Sequence, residues 1–352
     1  MPAARVVAVV VTFNRRRMLE ECLEGLARQT HPVAEVIVVD NASTDGTIEM
    51  LEASDLRDRL VLSYLRIRRN GGGAEGQHYG WAAALERDAD WVWVMDDDCE
   101  PEPDTLAGLL ASPRALDPAT VALVPLAVSS DRESLPLERG SIRRRWFLAP
   151  LISLSESEYA MPEVEIDFST FVGPLVRMEA ARSVGLPLRP AFIHNDDIEY
   201  FARLQGEGRS WFIGRSVIVH KAVRPFTDAS LLGRVRDYVR PDPFSGEWKH
   251  MYALRNLVYA GRKHGFLTRA RALSYVATQA ARRLLFAERR LRVAYLTALF
   301  GLHGWRGVFR NVPPERSNTL ASVRRPGAYL REHALDYEQE VAEPPRWLGS
   351  RG

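Results

Sequence analysis

Three consecutive carboxylates stand where an apolar run of the sequence ends. The stretch WVWVMDDDCEP places Asp96, Asp97 and Asp98 directly after a predicted buried strand. Like charges this close repel each other, and each is costly to remove from water. Because alternate residues of a strand face the same side, Asp96 and Asp98 can together bind a hard divalent cation such as Mg²⁺ or Mn²⁺. We therefore expect a metal site at this strand end, with Asp97 near a hydroxyl group or a sugar donor. An acidic loop exposed to water is the alternative.

Two further stretches carry side chains suited to acid–base or metal chemistry. The stretch HNDDIEYFAR places Asp196 and Asp197 at the predicted start of a helix, where one carboxylate can be held by the backbone while the other acts as general base. Simple capping of the helix is the alternative for this pair. His220 ends the strand pattern SVIVH and can complete the metal ligands with Asp98, although a lone histidine is more often structural.

A glycine-rich stretch, RNGGGAEGQHYGW, precedes a predicted helix. Consecutive glycines let a ligand approach the backbone closely, and a helix N-terminus favours phosphate. Neither the dinucleotide-binding glycine pattern nor the P-loop pattern is present, so sites of those two kinds are disfavoured.

Composition limits the class of protein. The chain has 352 residues, 46% of them hydrophobic and 26% charged, with a formal net charge of +2, which is typical of a soluble globular protein and argues against a nucleic-acid binder. Its two cysteines, Cys22 and Cys99, have no metal-site spacing and are compatible with a reducing cytoplasm. We read no signal peptide and no run of the roughly 18 apolar residues that would span a bilayer. The expected location is the cytoplasm.

The elements that must position these residues follow a regular order. Strand and helix patterns alternate from RVVAVVVTF to DWVWVMD, which predicts an α/β fold with a mostly parallel sheet and helices on both faces. The polar strand ends TFNR, DNASTDGT, RRNGGG and DDDCEP should then lie on one edge, where such sheets bind ligands. We divide the chain into a catalytic domain (1–228), a basic helical region (229–311) and an irregular tail (312–352).

These motifs occur together in a recognisable order. The series VVVTFNR, VIVVDNASTDGT, RNGGGAEG, WVWVMDDDCEP, HNDDIEYFAR and VIVH, over about residues 5–225, resembles the inverting glycosyltransferases of family two, which have the GT-A fold. The forms TFNR and NGGGAEG and the triple aspartate resemble most the galactofuranosyltransferase and rhamnosyltransferase branch. The stretch WKHMYALRNLVYA is similar to a Tyr-x-x-Arg-Asn helix of that branch.

The resemblance implies roles for individual positions. The residues implied at the nucleotide or its sugar are Thr12, Asn14, Arg15, Asp40, Asn70, Gly72, Asp96 and Asp97. Among them, Asp40 would meet the uracil or thymine ring. The implied metal ligands are Asp96, Asp98 and His220, with Mn²⁺ or Mg²⁺ as the cofactor. Asp197 matches the catalytic base, with Asp196 beside it.

The predicted function is metal-dependent, inverting transfer of a sugar to an acceptor hydroxyl. Galactofuranose or rhamnose is the favoured sugar, from a UDP- or dTDP-linked donor to a glycan or lipid-linked acceptor of the cell envelope. The Gln-x-x-Arg-Trp motif of processive synthases is absent from the sequence, so we expect transfer of one or few sugars. Two stretches depart from the family pattern. The sequence EGQHYG after the glycines concerns the donor contacts, and HN before Asp196 and Asp197 concerns the acceptor contacts.

Three alternatives remain open at this stage. A nucleotidyltransferase can use the same sheet and metal chemistry, and a sugar-nucleotide-binding protein without turnover is a second alternative. The third concerns the basic helices within 265–310, where apolar residues and arginines alternate. They either lie on the inner face of an anionic membrane or pack on the catalytic domain with a solvated arginine face.

Overall fold

The computed structural model describes residues 4–135, 138–142, 150–221, 244–287, 289–337 and 346–348. The strands of these ranges are β1 (Val6–Thr12), β2 (Glu35–Asp40), β3 (Leu62–Arg66), β4 (Trp91–Asp96), β5 (Cys99–Pro101), β6 (Thr120–Val128), β7 (Arg139–Ile142), β8 (Leu151–Ser153), β9 (Glu163–Ile166), β10 (Phe168–Ser169), β11 (Leu175–Arg177), β12 (Arg209–His220) and β13 (Arg346–Leu348). The helices are α1 (Arg16–Ala27), α2 (Thr47–Ala53), α3 (Leu56–Arg59), α4 (Gly73–Leu85), α5 (Thr105–Leu110), α6 (Glu156–Tyr159), α7 (Met178–Val184), α8 (Asp196–Leu204), α9 (Phe244–Lys263), α10 (Arg269–Phe286), α11 (Arg290–Arg306), α12 (Pro314–Asn318) and α13 (Pro326–Glu332).

The predicted alternation of strands and helices is confirmed in the first part of the chain. Within the described residues, ten strands form one sheet in the order β13-β3-β2-β1-β4-β11-β6-β12-β5, with β9 on β12. Parallel pairing joins β3, β2, β1 and β4, and also β6 and β12. The remaining neighbours pair antiparallel, so the sheet as a whole is mixed.

The sheet is covered on both faces, as the continuous apolar strand patterns predict. Alternate residues of β1 belong to two different cores, Val7, Val9 and Val11 to one and Val6, Ala8 and Val10 to the other. Helix α4 covers the first core with the buried Trp81, and α1 covers the second with Leu19 and Leu23. The carboxyl ends of β1 to β4 therefore meet at one edge between two layers of helices.

One predicted strand is broken in the structure. The apolar pattern of the stretch EIDFSTFVGPLVRM predicts a strand, but in the structure this stretch contributes to β9, β10 and β11, with a turn between the last two. Gly173 in this turn has φ +73°, a left-handed conformation that a continuous strand does not contain. Residue Pro174 follows it and cannot donate a ladder hydrogen bond.

The expected C-terminal helical extension is present as α9, α10 and α11, which pack against one another. Their apolar core also receives Phe192, from the segment that precedes α8. The predicted domain boundary at residue 228 and the basic stretch 143–149 lie outside the described residues. Each helix of the described chain is too short or too polar to cross a membrane.

The stretch predicted as an irregular tail contains α12, α13 and β13 within its described part. Helix α12 begins at Pro314 and α13 begins at Pro326. Proline suits the first turn of a helix, because the amide that it lacks would have no partner there. The prolines of this stretch thus mark helix starts as well as irregular backbone.

Candidate active site

The acidic turn, Asp96 to Asp98, joins β4 to β5 and lies beside His220. The chain leaves β4 at Asp96 and turns at Asp97 and Asp98, after which β5 pairs antiparallel with β12. The register of that pair sets His220 opposite Cys99, so the imidazole reaches the preceding carboxylate. His220 Nε2 lies 3.3 Å from Asp98 Oδ1. The two residues predicted to share a metal are therefore adjacent.

Arg15 supplies positive charge at this turn. Its guanidinium lies 3.2 Å from Asp97 Oδ1 and 2.7 Å from Asp98 Oδ2. The simple alternation of a strand, which would point Asp97 away from Asp98, does not hold here, because the strand has already ended and the chain is turning. Thr12 is buried and donates its hydroxyl to Asp97 Oδ2 at 2.7 Å, so its side chain orients Asp97.

Asp96 accepts a hydrogen bond from the Gln77 amide at 3.1 Å. Burial, together with the negative charges of Asp98, Asp97 and Asp196, raises the pKa of Asp96 to about 8. For Asp97, burial raises the pKa to about 6, although Arg15 and Thr12 oppose the shift. Burial is the main cause of both shifts and repulsion between the carboxylates adds to it, so this corner is a buried acidic cluster.

Glu138 completes this cluster, although no sequence motif identifies it. His220 Nδ1 lies 2.6 Å from Glu138 Oε1, while Arg139 NH1 donates to Glu138 Oε2 at 2.8 Å. Burial lowers the pKa of His220, but hydrogen bonds with Asp98 and Glu138 outweigh it and raise that pKa to about 10. Because 82 positions separate Glu138 from His220, no spacing pattern in the sequence indicates their contact.

The acid pair, Asp196 and Asp197, begins α8. Ile198 N donates to Asp197 Oδ1 at 2.7 Å, which leaves Oδ2 of this carboxylate for another partner. Burial and the charge of Asp196 raise the pKa of Asp197 well above its usual value, with smaller contributions from Asp96 and Glu138. The charge of Asp96 raises the pKa of Asp197, and the charge of Asp196 raises the pKa of Asp96, so the acid pair and the acidic turn lie close together.

The loops after β1 and β2 are tied together. Asn14 adopts φ +51°, and its Oδ1 accepts from Thr44 N at 2.7 Å, while Asn14 N donates to Ser43 Oγ at 2.9 Å. The predicted nucleotide residue Asn14 therefore holds the second loop against the first. This cross-link keeps both strand ends at the same edge of the sheet.

Asp40 is fully buried beneath these loops. Its Oδ1 accepts from Ser43 N at 2.8 Å, and its Oδ2 accepts from Tyr64 OH at 2.5 Å, with Arg66 NH1 3.4 Å away. In the structure this carboxylate supports the loop and does not face open space. A direct contact of Asp40 with a nucleobase would require these partners to move.

The glycine loop, residues 69–73, lies against the segment that leads to the acid pair. Asn70 Oδ1 accepts from Gly72 N at 2.9 Å, so Asn70 shapes the loop from within. Gly72 has φ +90°, and a Cβ there would lie 2.0 Å from Phe192 O. Only glycine fits this close approach. Ala74 N, at the start of α4, donates to the same carbonyl at 3.2 Å.

The residues at this corner suit a divalent cation that is bound together with a ligand. Hard oxygen ligands and an imidazole are present, and an added cation would offset the carboxylate charge that raises the pKa of Asp96. Among the residues described, however, no set of three His, Cys, Asp or Glu side chains is arranged as a complete metal site. Mg²⁺ is commonly held by one or two carboxylates plus substrate phosphates. The donor set fits that second arrangement.

The mixed sheet with helices on both faces and the helices that follow it have the GT-A fold. Residues 7–170 match the model of the family described as glycosyl transferase family 2, so this part of the chain is similar to that family.

Among similar proteins, galactofuranosyltransferase GlfT1 of Mycolicibacterium smegmatis is 34% identical over 207 residues, which are 58% of this chain and 66% of that protein. GlfT1 of Mycobacterium tuberculosis (strain CDC 1551 / Oshkosh) is 35% identical over 208 residues, 58% of this chain and 65% of that protein. The match thus spans slightly less than two thirds of these relatives' length. The crystal structure of GalNAc-T7 with UDP, GalNAc and Mn²⁺ shares the fold with a TM-score of 0.51 at 17% identity, covering 77% of this chain and 54% of that one.

Proposed function

We propose that the protein transfers galactofuranose from UDP-galactofuranose to an acceptor hydroxyl, with inversion at the anomeric carbon. The observation that carries this proposal is the meeting of the acidic turn, His220 and the acid pair at one edge of the sheet. The identity to two proteins named galactofuranosyltransferases supports the choice of sugar. Rhamnose from a dTDP-linked donor is the second sugar to be tested.

Asp96, Asp98 and His220 are the residues that would hold Mn²⁺ or Mg²⁺ in this proposal. When bound, the ion offsets the charge that develops on the departing diphosphate. Arg15 lies beside the same carboxylates and can contribute a second positive charge on that side. The residues Asn14, Asn70, Gly72 and Asp97 stay assigned to the nucleotide or its sugar, since they line the same edge.

Asp197 is the proposed general base. Its Oδ2 is left for the acceptor hydroxyl, because Oδ1 accepts from the backbone of Ile198. A carboxylate whose pKa is raised by burial holds an abstracted proton better than an exposed one. The acceptor oxygen then attacks the anomeric carbon opposite the diphosphate in a single displacement.

The test is a donor screen with the purified full chain. UDP-galactofuranose, UDP-N-acetylglucosamine and dTDP-rhamnose are each incubated with Mn²⁺ or Mg²⁺ and with short galactosides or polyprenyl-linked acceptors. We expect nucleoside diphosphate release and a sugar added to the acceptor with UDP-galactofuranose. Pyrophosphate release from a nucleoside triphosphate would instead indicate a nucleotidyltransferase, and donor binding without turnover would indicate a binding protein.

The α10–α11 hairpin supports a lipid-linked acceptor and a peripheral position on the inner face of the membrane. Its tip exposes the apolar side chains Leu284, Leu285, Phe286 and Leu291. The exposed Arg289, Arg290 and Arg292 lie in the same part of the chain. Apolar side chains beside cations fit a surface of anionic lipid.

Vesicle flotation tests this contact. The full chain should float with vesicles containing phosphatidylglycerol and not with pure phosphatidylcholine, and L285E should reduce the floated fraction at least severalfold. The control is V61E, which changes another exposed apolar residue far along the chain. Equal flotation of wild type and L285E would contradict the membrane assignment.

A further inference from the structure

The segment that leads into the acid pair, residues 189–195, has an unusual backbone. We call it the acid-pair loop. Phe192, His194 and Asn195 have φ values of +70°, +59° and +59°, a left-handed conformation that costs side-chain-bearing residues energy. Such a residue persists in this conformation only where its surroundings hold it. Asn195 is the residue directly before the acid pair, so this conformation sets the direction in which the two carboxylates leave the loop.

Helix α9 holds the acid-pair loop through one amide group. Asn256 Nδ2 lies 2.9 Å from Ala191 O, 3.1 Å from Ile193 O and 2.7 Å from His194 O. A single side-chain amide therefore contacts three carbonyls of the strained segment. The loop returns one contact, because Asn195 Nδ2 donates to Ala253 O of the same helix at 2.8 Å.

The neighbouring Arg255 reinforces this arrangement. Its NH2 donates to Ala191 O at 2.8 Å, and its Nε donates to Asn256 Oδ1 at 3.0 Å, which fixes the orientation of that amide. Arg255 is fully buried, and these acceptors are neutral oxygens. Burying a guanidinium beside neutral partners is costly, and burial lowers the pKa of Arg255 to about 10. Its hydrogen bonds offset part of this cost and tie helix α9 to the acid-pair loop.

The same contacts continue to the glycine loop. Arg255 NH1 donates to Asn311 Oδ1 at 2.6 Å, and Asn311 Nδ2 donates to Tyr337 OH at 2.7 Å. Tyr337 OH in turn lies 3.4 Å from Gly71 O. The two loops also touch directly, since Phe192 O accepts from Ala74 N. The helical region thus contacts the acid-pair loop directly and is linked to the glycine loop through Asn311 and Tyr337.

We propose that Asn256, oriented by Arg255, is a positioning residue that holds the acid-pair loop in its left-handed conformation and thereby aims Asp196 and Asp197 at the acidic turn. This inference rests on the proposed function for its effect on turnover, but the contact with the loop is independent of it. The helical region is then part of the catalytic apparatus, because a base displaced by about 1 Å loses roughly 10²-fold in rate.

The test uses N256D, which keeps the shape of the side chain but replaces the donating amide by an oxygen that repels the three carbonyls. N256S, which keeps one hydroxyl donor without a charge, is the milder variant if N256D does not fold. The matched control is V258A, because Val258 is buried in the same helix within a core that excludes the loop. Circular dichroism checks that each variant is folded.

Two readouts are measured on wild type and variants. Hydrogen exchange of peptides that cover 189–197 should accelerate at least about tenfold in N256D and stay at the wild-type rate in V258A. In the donor assay, N256D should lower kcat by roughly 10–100-fold while the Kd for UDP changes less than about twofold. N256S should give smaller changes in the same direction.

The outcomes separate this inference from the proposed function. If N256D and N256S exchange at 189–197 like wild type, or if V258A accelerates this segment as much, the positioning role is overturned. If exchange accelerates only in the Asn256 variants while wild type transfers no sugar, the positioning role stands and the proposed function fails. A wild-type kcat in a folded N256D would overturn the claimed effect on the base.

Discussion

Asp196 and Asp197 are neighbours in a buried position at the start of α8. Burial raises the pKa of both carboxyls, to about 6 for Asp196 and well above its usual value for Asp197, where the charge of Asp196 adds to the shift. Two interacting carboxyls titrate as a pair, so these shifts belong to the pair. Asp197 is the proposed base, because Ile198 N occupies only Oδ1 of its carboxylate.

This assignment predicts the effect of D197N. The amide cannot accept the acceptor proton, so kcat should fall by roughly 10²–10⁴-fold, while donor binding stays near wild type because the nucleotide contacts are elsewhere. Initial rates with UDP-galactofuranose and calorimetry with UDP measure the two quantities. D196N is the matched variant and should lose less activity. A D197N enzyme with wild-type kcat would show that another group removes the proton.

Glu138 acts on the proposed metal site through His220. The 2.6 Å contact with His220 Nδ1 fixes the ring so that Nε2 faces Asp98. Partners of this kind typically change metal affinity by 10–100-fold. Glu138 therefore affects metal binding although it contacts the imidazole on the nitrogen opposite Asp98.

We predict that E138Q weakens Mn²⁺ binding in the presence of UDP by about tenfold. Glutamine still accepts from Arg139 but lacks the charge that stabilises the imidazole orientation. Electron paramagnetic resonance of free Mn²⁺ measures the affinity. E165Q, a change at an exposed glutamate of β9, is the control and should bind as wild type. Equal Mn²⁺ affinity for E138Q and E165Q would remove Glu138 from the site.

At the scale of elements, the start of α4 depends on how closely two loops approach. Gly72 faces Phe192 O so tightly that a Cβ would lie 2.0 Å from it, whereas a Cβ at Gly73 meets nothing within 4 Å. Gly72 also has φ +90°. The two adjacent glycines therefore have opposite tolerance for a methyl group.

We predict that G72A lowers the free energy of unfolding by about 1–3 kcal/mol and weakens UDP binding, because the glycine loop must move away from Phe192. G73A should be neutral or slightly stabilising, since alanine is the better helix former at the start of α4. Urea unfolding and UDP calorimetry measure both effects. Similar losses in the two variants would contradict the close approach.

At the scale of the whole molecule, the helical region carries a buried histidine that titrates on acidification. Burial, with the nearby charges of Arg310, Arg255, Arg306 and Arg331, lowers the pKa of His303 to about 4. The unfolded chain binds this proton near pH 6.5, so the folded state is favoured above that pH. The contribution of the neutral His303 to the free energy of unfolding is lost as the pH falls from about 6.5 towards 4.

We predict that acidification from pH 7 to pH 5 costs wild type roughly 1–2 kcal/mol more unfolding free energy than it costs H303L. Carboxyls with raised pKa values, such as Asp96, stabilise the folded state on acidification. Wild type and H303L share these carboxyls, so their effect cancels in the difference. Urea unfolding at the two pH values measures the difference. Parallel losses in wild type and H303L would place the titrating group elsewhere.

The sequence by itself determined the parallel arrangement of β1 to β4 and the position of the acidic turn after β4. These features are local, because continuous apolar runs make buried strands and the polar residues that end them must meet at one edge. The resemblance to the family-two glycosyltransferases also follows from the order of motifs along the chain. The site residues predicted from these motifs lie around that edge, and their roles in catalysis are proposals.

Only the tertiary structure decided which side chains face one another across long separations. It brought Glu138 to His220, enclosed Asp40 under a loop, and set Asn256 against the acid-pair loop 62 to 65 positions away. Such contacts leave no spacing pattern in the sequence, because they depend on how the helical region packs on the sheet. The direction in which the acid pair points is therefore a property of that packing and not of the residues beside it.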